Sequence, residues 1–138
     1  FALVIPAERD GFHLVEEYRY PVGRRSWSFP QGAFPADEDG SPEELARLEL
    51  AQETGLRAAT MTPLGFLNSA HGTIRQGFHA FLAEDLEQGE PDREPEEQDM
   101  CQRFVTRAEF RQMIRDGAIT DDSTVAAYTL LMLHDQQH

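Results

Sequence analysis

Phe29-Pro30-Gln31-Gly32, followed by Ser41-Pro42-Glu43-Glu44-Leu45-Ala46-Arg47-Leu48-Glu49-Leu50-Ala51-Gln52-Glu53-Thr54-Gly55-Leu56, reads as a glycine loop feeding a short capped helix. Ser41 is a good N-cap, Pro42 suits the first helical position, and Glu44 completes a Ser-x-x-Glu capping box. Glu43 and Glu44 sit well at the positive end of the helix dipole. Gly55 is the expected residue just past the end, where a left-handed conformation closes a helix. Leu45, Ala46 and Leu50 form an apolar stripe for packing on a sheet, leaving Glu49, Gln52 and Glu53 on another face. Glu49 and Glu53 stand one turn apart, so their carboxylates converge. Two carboxylates beside a loop with free carbonyls make a place for Mg2+, a cation that takes oxygen ligands and substrate phosphates. The plain alternative is a surface helix with solvated glutamates.

The same residues resemble the Nudix box, the signature of Mg2+-dependent nucleoside diphosphate hydrolases, whose pattern is G-x5-E-x7-R-E-U-x-E-E-x-G-U with U aliphatic. Glu49-Leu50-Ala51-Gln52-Glu53-Thr54-Gly55-Leu56 matches its closing part, and Gly32 its opening glycine. Phe-Pro-Gln-Gly is similar to the Leu-Pro-x-Gly of the ADP-ribose pyrophosphatase branch. Glu17-Tyr18-Arg19-Tyr20-Pro21-Val22-Gly23-Arg24-Arg25 resembles the strand and loop before the box in that branch, and Ile114 to Asp121 its turn into the last helix. The resemblance implies an α/β Nudix fold, a mixed β-sheet sandwiched between α-helices, in one domain over residues 1–138.

Departures from the pattern are specific. The loop from Gly32 to the helix is two residues longer, and the first patterned glutamate falls on Gly40. The patterned arginine, similar to a clamp that orients the glutamates, falls on Leu48, and the first paired glutamate on Gln52. Arg47 is adjacent but points about a third of a turn away. Gln52 offers an amide oxygen without charge. The implied metal ligands are Glu49, Glu53, Gln52 and the backbone carbonyl of Gln31, holding Mg2+ with Mn2+ as a substitute. By resemblance, a loop glutamate acts as catalytic base or extra ligand: Glu97, with Glu96 the near alternative.

The length of 138 residues suits one domain with one core. No apolar run is long enough to cross a membrane, no signal peptide is visible, and the chain starts at Phe1 rather than Met, consistent with a trimmed or incomplete beginning. Cys101, the single cysteine, excludes an intrachain disulfide and fits a reducing cytoplasm; it reads as a small packing residue. A net charge of -13 argues against a nucleic acid polymer, whose affinity comes from Lys and Arg on phosphates. It leaves room for one diphosphate screened by Mg2+ and by Arg19, Arg24 and Arg25, whose forks suit phosphate oxygens. Arg19 is the first choice by resemblance; solubilising charge is the alternative for the other two.

Strands are expected over Phe1–Ile5 and Phe12–Tyr20, joined through Arg9-Asp10-Gly11, then over Met61–Asn68, Gln76–Ala83 and Met100–Val105. Thr106-Arg107-Ala108-Glu109 is a second capping box, opening a helix that Gly117 ends, and Asp121-Asp122-Ser123 caps a last helix running to about His134. The acidic stretch from Glu84 to Asp99 reads as a mobile solvated loop. Trp27 and Phe29 flank the glycine loop and suit base stacking or core packing, with packing expected for at least one. His13, His71, His79, His134 and His138 lack metal-ligand spacing, and structural or surface roles are expected for all five, although the His71 loop could border the pocket.

The expected activity is Mg2+-dependent hydrolysis of a nucleoside diphosphate linked to another moiety, with Glu49, Glu53 and Glu97 catalytic. ADP-ribose or a related sugar nucleotide is the substrate by resemblance, and a homodimer follows from the branch's habit of pairing. The competing readings are a catalytically impaired module that binds a nucleotide or a protein, and a dimeric scaffold.

Overall fold

In the computed structural model, which describes residues 1–35 and 38–137, the chain is organised around β1 (Ala2–Glu8), whose side chains go alternately to two cores. Ala2 and Val4 point to one side, Leu3 and Ile5 to the other, and all four are fully buried. That near-continuous apolar run is what a strand covered on both faces requires. β2 (Gly11–Arg19), β3 (Arg24–Ser28), β4 (Gln31–Gly32), β5 (Leu56–Ser69), β6 (Gln76–Gln88) and β7 (Cys101–Thr106) complete a seven-stranded sheet of order β3-β2-β1-β6-β5. β4 pairs with β1, and β7 with β2. β1 runs parallel to β6, and the other pairings are antiparallel, so the sheet is mixed.

Helix α1 (Pro42–Thr54) covers one face with Leu45, Ala46 and Leu50, against Val4, Phe81 and Ala83. Helices α2 (Arg107–Arg115) and α3 (Asp122–Gln137) cover the other, placing Phe110, Met113, Ala127, Tyr128 and Leu131 on Leu3, Ile5, Phe12 and Leu14. The Val, Leu, Ile, Phe and Met side chains among these each contribute roughly 1.5–3 kcal/mol when fully buried. This is the mixed sheet between helices that the sequence implies.

Several boundaries differ from expectation. β5 begins at Leu56, directly after Gly55, and β6 continues to Gln88, so Glu84–Gln88 of the expected loop are strand. The extension is possible because Leu56–Thr60 supplies a partner whose register reaches Gln88, while Glu84 and Glu87 keep their carboxylates in solvent. Cys101 is exposed at the start of β7 rather than packed, with Sγ 3.9 Å from an Arg25 nitrogen. The last helix extends past His134, and His138 lies outside the described residues. Among the described residues no helix is long and apolar enough to cross a membrane.

Candidate active site

α1 is capped as its sequence dictates. Ser41 Oγ accepts the Glu44 N–H at 3.1 Å, and Gly55, at φ 78°, donates its N–H to the Ala51 carbonyl at 2.9 Å. Only the Ser41 half of the capping box forms. The helix places Glu49 and Glu53 inward, 6% and 2% exposed, so they are not a solvated face. Burial pushes the Glu49 carboxyl up to about 7, with the charges of Glu97 and Glu94 adding to the effect and a hydrogen bond from Glu53 opposing it. Glu53 is raised as well, by burial first and then by the Glu49 charge. Among the described residues no basic group is among those acting on either carboxyl. Leu48 packs against the α1-side core, and Arg47 turns to Glu43 Oε2 at 3.2 Å and the Ala58 carbonyl at 2.7 Å, away from the glutamate pair.

The glycine loop closes over this pair. β4 is pinned to β1 through Ala2↔Gly32 and Leu3↔Gln31, and Gly32 abuts Glu49: a Cβ there would sit 2.6 Å from either carboxylate oxygen. Glycine is required for that approach. The Gln31 side chain points the other way, donating to Asp121 Oδ2 at 2.8 Å and to the Phe29 carbonyl at 3.2 Å.

Gln31, next to Gly32 in β4, lines a cavity of about 540 Å3 with Arg19, Pro21, Val22, Ser26, Ser28 and Thr120–Asp122, a lining that does not include Glu49 or Glu53. Of the three candidate arginines only Arg19 lines it; Arg19 Nη2 also lies 2.7 Å from Glu17 Oε1. Arg24 donates to the Gly117 carbonyl. Arg25 is bound to Glu16 Oε1 and Asp99 Oδ2, each at 2.9 Å, and to the Asp99 carbonyl at 3.0 Å, so it ties β3 to the acidic loop.

That loop is mostly exposed, as its composition leads one to expect, and is hydrogen-bonded at both ends. A short 3-10 turn at Pro95–Glu97 is closed by Glu97 Oε1 accepting the Glu94 N–H at 3.2 Å. Glu97, half-buried, is felt electrostatically by Glu49, Glu53 and Glu17, whereas Glu96 is exposed and bonded to Glu94. Glu17 is a further site residue: burial raises its carboxyl, Arg19 opposes this, and Glu97 and Asp99 add to it. Period-2 alternation with Arg19 on β2 was its sequence signal.

The donor set suits a hard divalent cation. It is all oxygen, carries two buried carboxylates without a basic partner among the described residues, and has a glycine cradle that a side chain would fill. Among the described residues no group of three or more His, Cys, Asp or Glu side chains is placed to hold a metal ion, so backbone, water and substrate oxygens would have to complete the shell. Gln52 is half-buried beside the pair.

Of the flanking aromatics, Phe29 is fully buried and stacks on Phe110 at 5.1 Å, while Trp27 is half-buried against the same core. His13 bonds Glu8 at 2.8 Å, His79 packs on Phe66, and exposed His71 does not line the cavity.

The NUDIX domain family model matches residues 1–128. An ADP-ribose pyrophosphatase of Mycobacterium tuberculosis is 33% identical over 127 residues, covering 91% of this chain and 60% of that protein. One from Bacillus subtilis is 28% identical over 123 residues, covering 88% and 65%. The chain thus spans under two thirds of the length of these relatives. A solved structure described as an ADP compounds hydrolase superposes with a TM-score of 0.83 at 22% identity, over 99% of this chain and 72% of that one, a likeness of fold.

Proposed function

This chain belongs to the NUDIX domain family, and we propose that it hydrolyses the phosphoanhydride of a nucleoside diphosphate linked to a second moiety, with ADP-ribose or a related sugar nucleotide as substrate. The observation that carries this reading is the buried Glu49–Glu53 pair, with Gly32 pressed against Glu49 and no basic partner among the described residues. Two like charges taken out of water are costly, and a bound cation is what offsets the cost.

Glu49, Glu53 and the Gln31 carbonyl, with the Gln52 amide oxygen at hand, are the groups that would hold Mg2+, or Mn2+ in its place. When bound, the ion neutralises charge on phosphoryl oxygens and acidifies water. Arg19 binds the diphosphate from the cavity side, and the Ser26, Ser28 and Asp121 side chains supply polar contacts to the rest of the nucleotide. Glu97 takes the proton of the attacking water. Water oxygen bonds to one phosphorus, the bridging P–O bond breaks, and a nucleoside monophosphate leaves with a second phosphorylated product.

The unit is read as one domain over residues 1–138, a cytoplasmic homodimer that does not engage nucleic acid polymers. Mg2+-dependent turnover of a panel of nucleoside diphosphate sugars and dinucleotides tests the reaction, with products identified by mass spectrometry and Glu53→Gln run alongside. Release of a nucleoside monophosphate by the wild type alone is the expected result. A second reading, an impaired module that binds a nucleotide or a protein partner, is favoured by Gly40, Leu48 and Gln52 standing at patterned acidic and basic positions. Nucleotide binding without turnover, and without Glu49-dependent Mg2+ affinity, would select it.

A further inference from the structure

The carboxyl end of α1 is closed almost entirely from outside the helix. Helices leave their last four carbonyls without intrahelical donors. Here the Ala51 carbonyl takes the Gly55 N–H, the Gln52 carbonyl the Asp92 N–H at 2.9 Å, the Glu53 carbonyl Arg93 Nε at 3.1 Å, and the Thr54 carbonyl Gln88 Nε2. Gly89 N–H then bonds the Gly55 carbonyl at 2.9 Å. Three of the four carbonyls are therefore satisfied by residues 88–93. Arg93 is the one cation among these donors, and α1 has no basic residue in its own last turn.

Arg93 is also joined to the turn that carries Glu97. Gln98 Nε2 donates to the Arg93 carbonyl at 2.9 Å and to the Glu94 carbonyl at 3.2 Å, wrapping residues 93–98 into one unit. Within that unit the Glu97 N–H bonds the Glu94 carbonyl at 2.9 Å, and the Met100 N–H bonds the Glu97 carbonyl at 3.0 Å. The side chain of Arg93 thus grips the helix at the Glu53 carbonyl, and its own carbonyl is held by Gln98, the residue that follows Glu97 in the turn.

We propose that Arg93 is a positioning residue: it fixes the Glu97 turn to the Glu49–Glu53 helix, setting the place of the proton acceptor relative to the buried carboxylates. This rests on the reading above that Glu97 and the helix glutamates form one reaction centre. Arg93 touches no reacting atom, so its loss lowers kcat and leaves KM nearly unchanged.

The test compares Arg93→Ala, Arg93→Lys and Glu97→Gln, singly and with Arg93→Ala combined with Glu97→Gln. Amide hydrogen exchange is read at Asp92, Glu97 and Met100 in the metal-free protein, and kcat and KM on the substrate that the panel identifies. Arg93→Ala is expected to speed exchange at these amides about 10-fold and to lower kcat about 10- to 100-fold. Arg93→Lys, which keeps a charged donor, recovers part of both and serves if the alanine variant fails to fold. In the Glu97→Gln background Arg93→Ala should add little, since the group it places is already gone. Unchanged exchange, or the same kcat loss with and without Glu97, would overturn the proposal. If the wild type turns over nothing in the panel, the hydrolase reading falls, and the exchange data still decide whether Arg93 ties loop to helix.

Discussion

Gly32 and Glu49 are pressed together so closely that a methyl group on Gly32 would lie 2.5 Å from the Glu49 carboxyl carbon. The displaced atoms are the end of a flexible side chain, so Gly32→Ala should cost under about 1 kcal/mol of stability. It should nevertheless lower kcat about 100-fold, because the carboxylate must swing away from its working position. Urea denaturation beside steady-state kinetics separates the two effects.

Glu53→Gln should abolish turnover, with a loss of about 100-fold or more, while strengthening the metal-free fold. The wild-type side chain is 2% exposed beside a second carboxyl, and an amide of the same shape removes the repulsion. A gain of about 1 kcal/mol in chelator-treated protein near neutral pH is expected. A variant that is less stable than wild type under these conditions would mean that the pair is not strained.

The pair also predicts how stability varies with pH. Glu49 is pushed from 4.5 up to about 7, and Glu53 is raised too, so between these values the folded state binds more protons than the unfolded. Stability of the metal-free protein is therefore greatest below the window and falls as pH rises through it. Mg2+ should raise Tm more at about pH 8 than at about pH 5, since the cation competes with protons for the same oxygens. Equal shifts at both would place the ion elsewhere.

Arg19 and Arg25 are six residues apart yet do different work. Arg19→Ala should raise KM about 10-fold with kcat little changed, because the side chain lines the cavity. Arg25→Ala releases Asp99 and Glu16 instead, and should accelerate amide exchange in the acidic loop without raising KM. Kinetics on both variants, with exchange on the second, distinguish the roles.

Gly55→Ala should be the most damaging glycine substitution in the box. At φ 78° an L side chain is strained, and its Cβ would lie 2.2 Å from the Gly89 carbonyl oxygen. A loss of about 2 kcal/mol or more is expected in urea denaturation.

What could be read from the sequence was local. Ser41, Pro42 and Gly55 announce α1, and Thr106 with Glu109 announces α2, because caps act within one turn of chain. The α1 glutamates were legible by spacing, but their burial was not, since it depends on Gly32 being pinned to Ala2 across the sheet. The ties of the acidic loop were illegible for a similar reason. Its composition is that of a solvated tract, yet its bonds run to Arg25 and to carbonyls of α1, partners that no window around residues 84–99 contains. Arg93 gave no sequence signal and Glu17 only its alternation with Arg19, so their roles come from tertiary placement.

β1 is the first strand of the chain, yet its parallel partner is β6, beyond the midpoint of the sequence. Its local hairpin with β2 is thin, through Ala7↔Phe12 and Glu8↔Gly11 alone, while Ala2–Pro6 align with His79–Ala83. Closing so long a loop must be paid in chain entropy before the central pairing returns any of it, which slows folding. On the ribosome, β1 is made well before β6, and its edge on the β6 side stays open until that strand arrives.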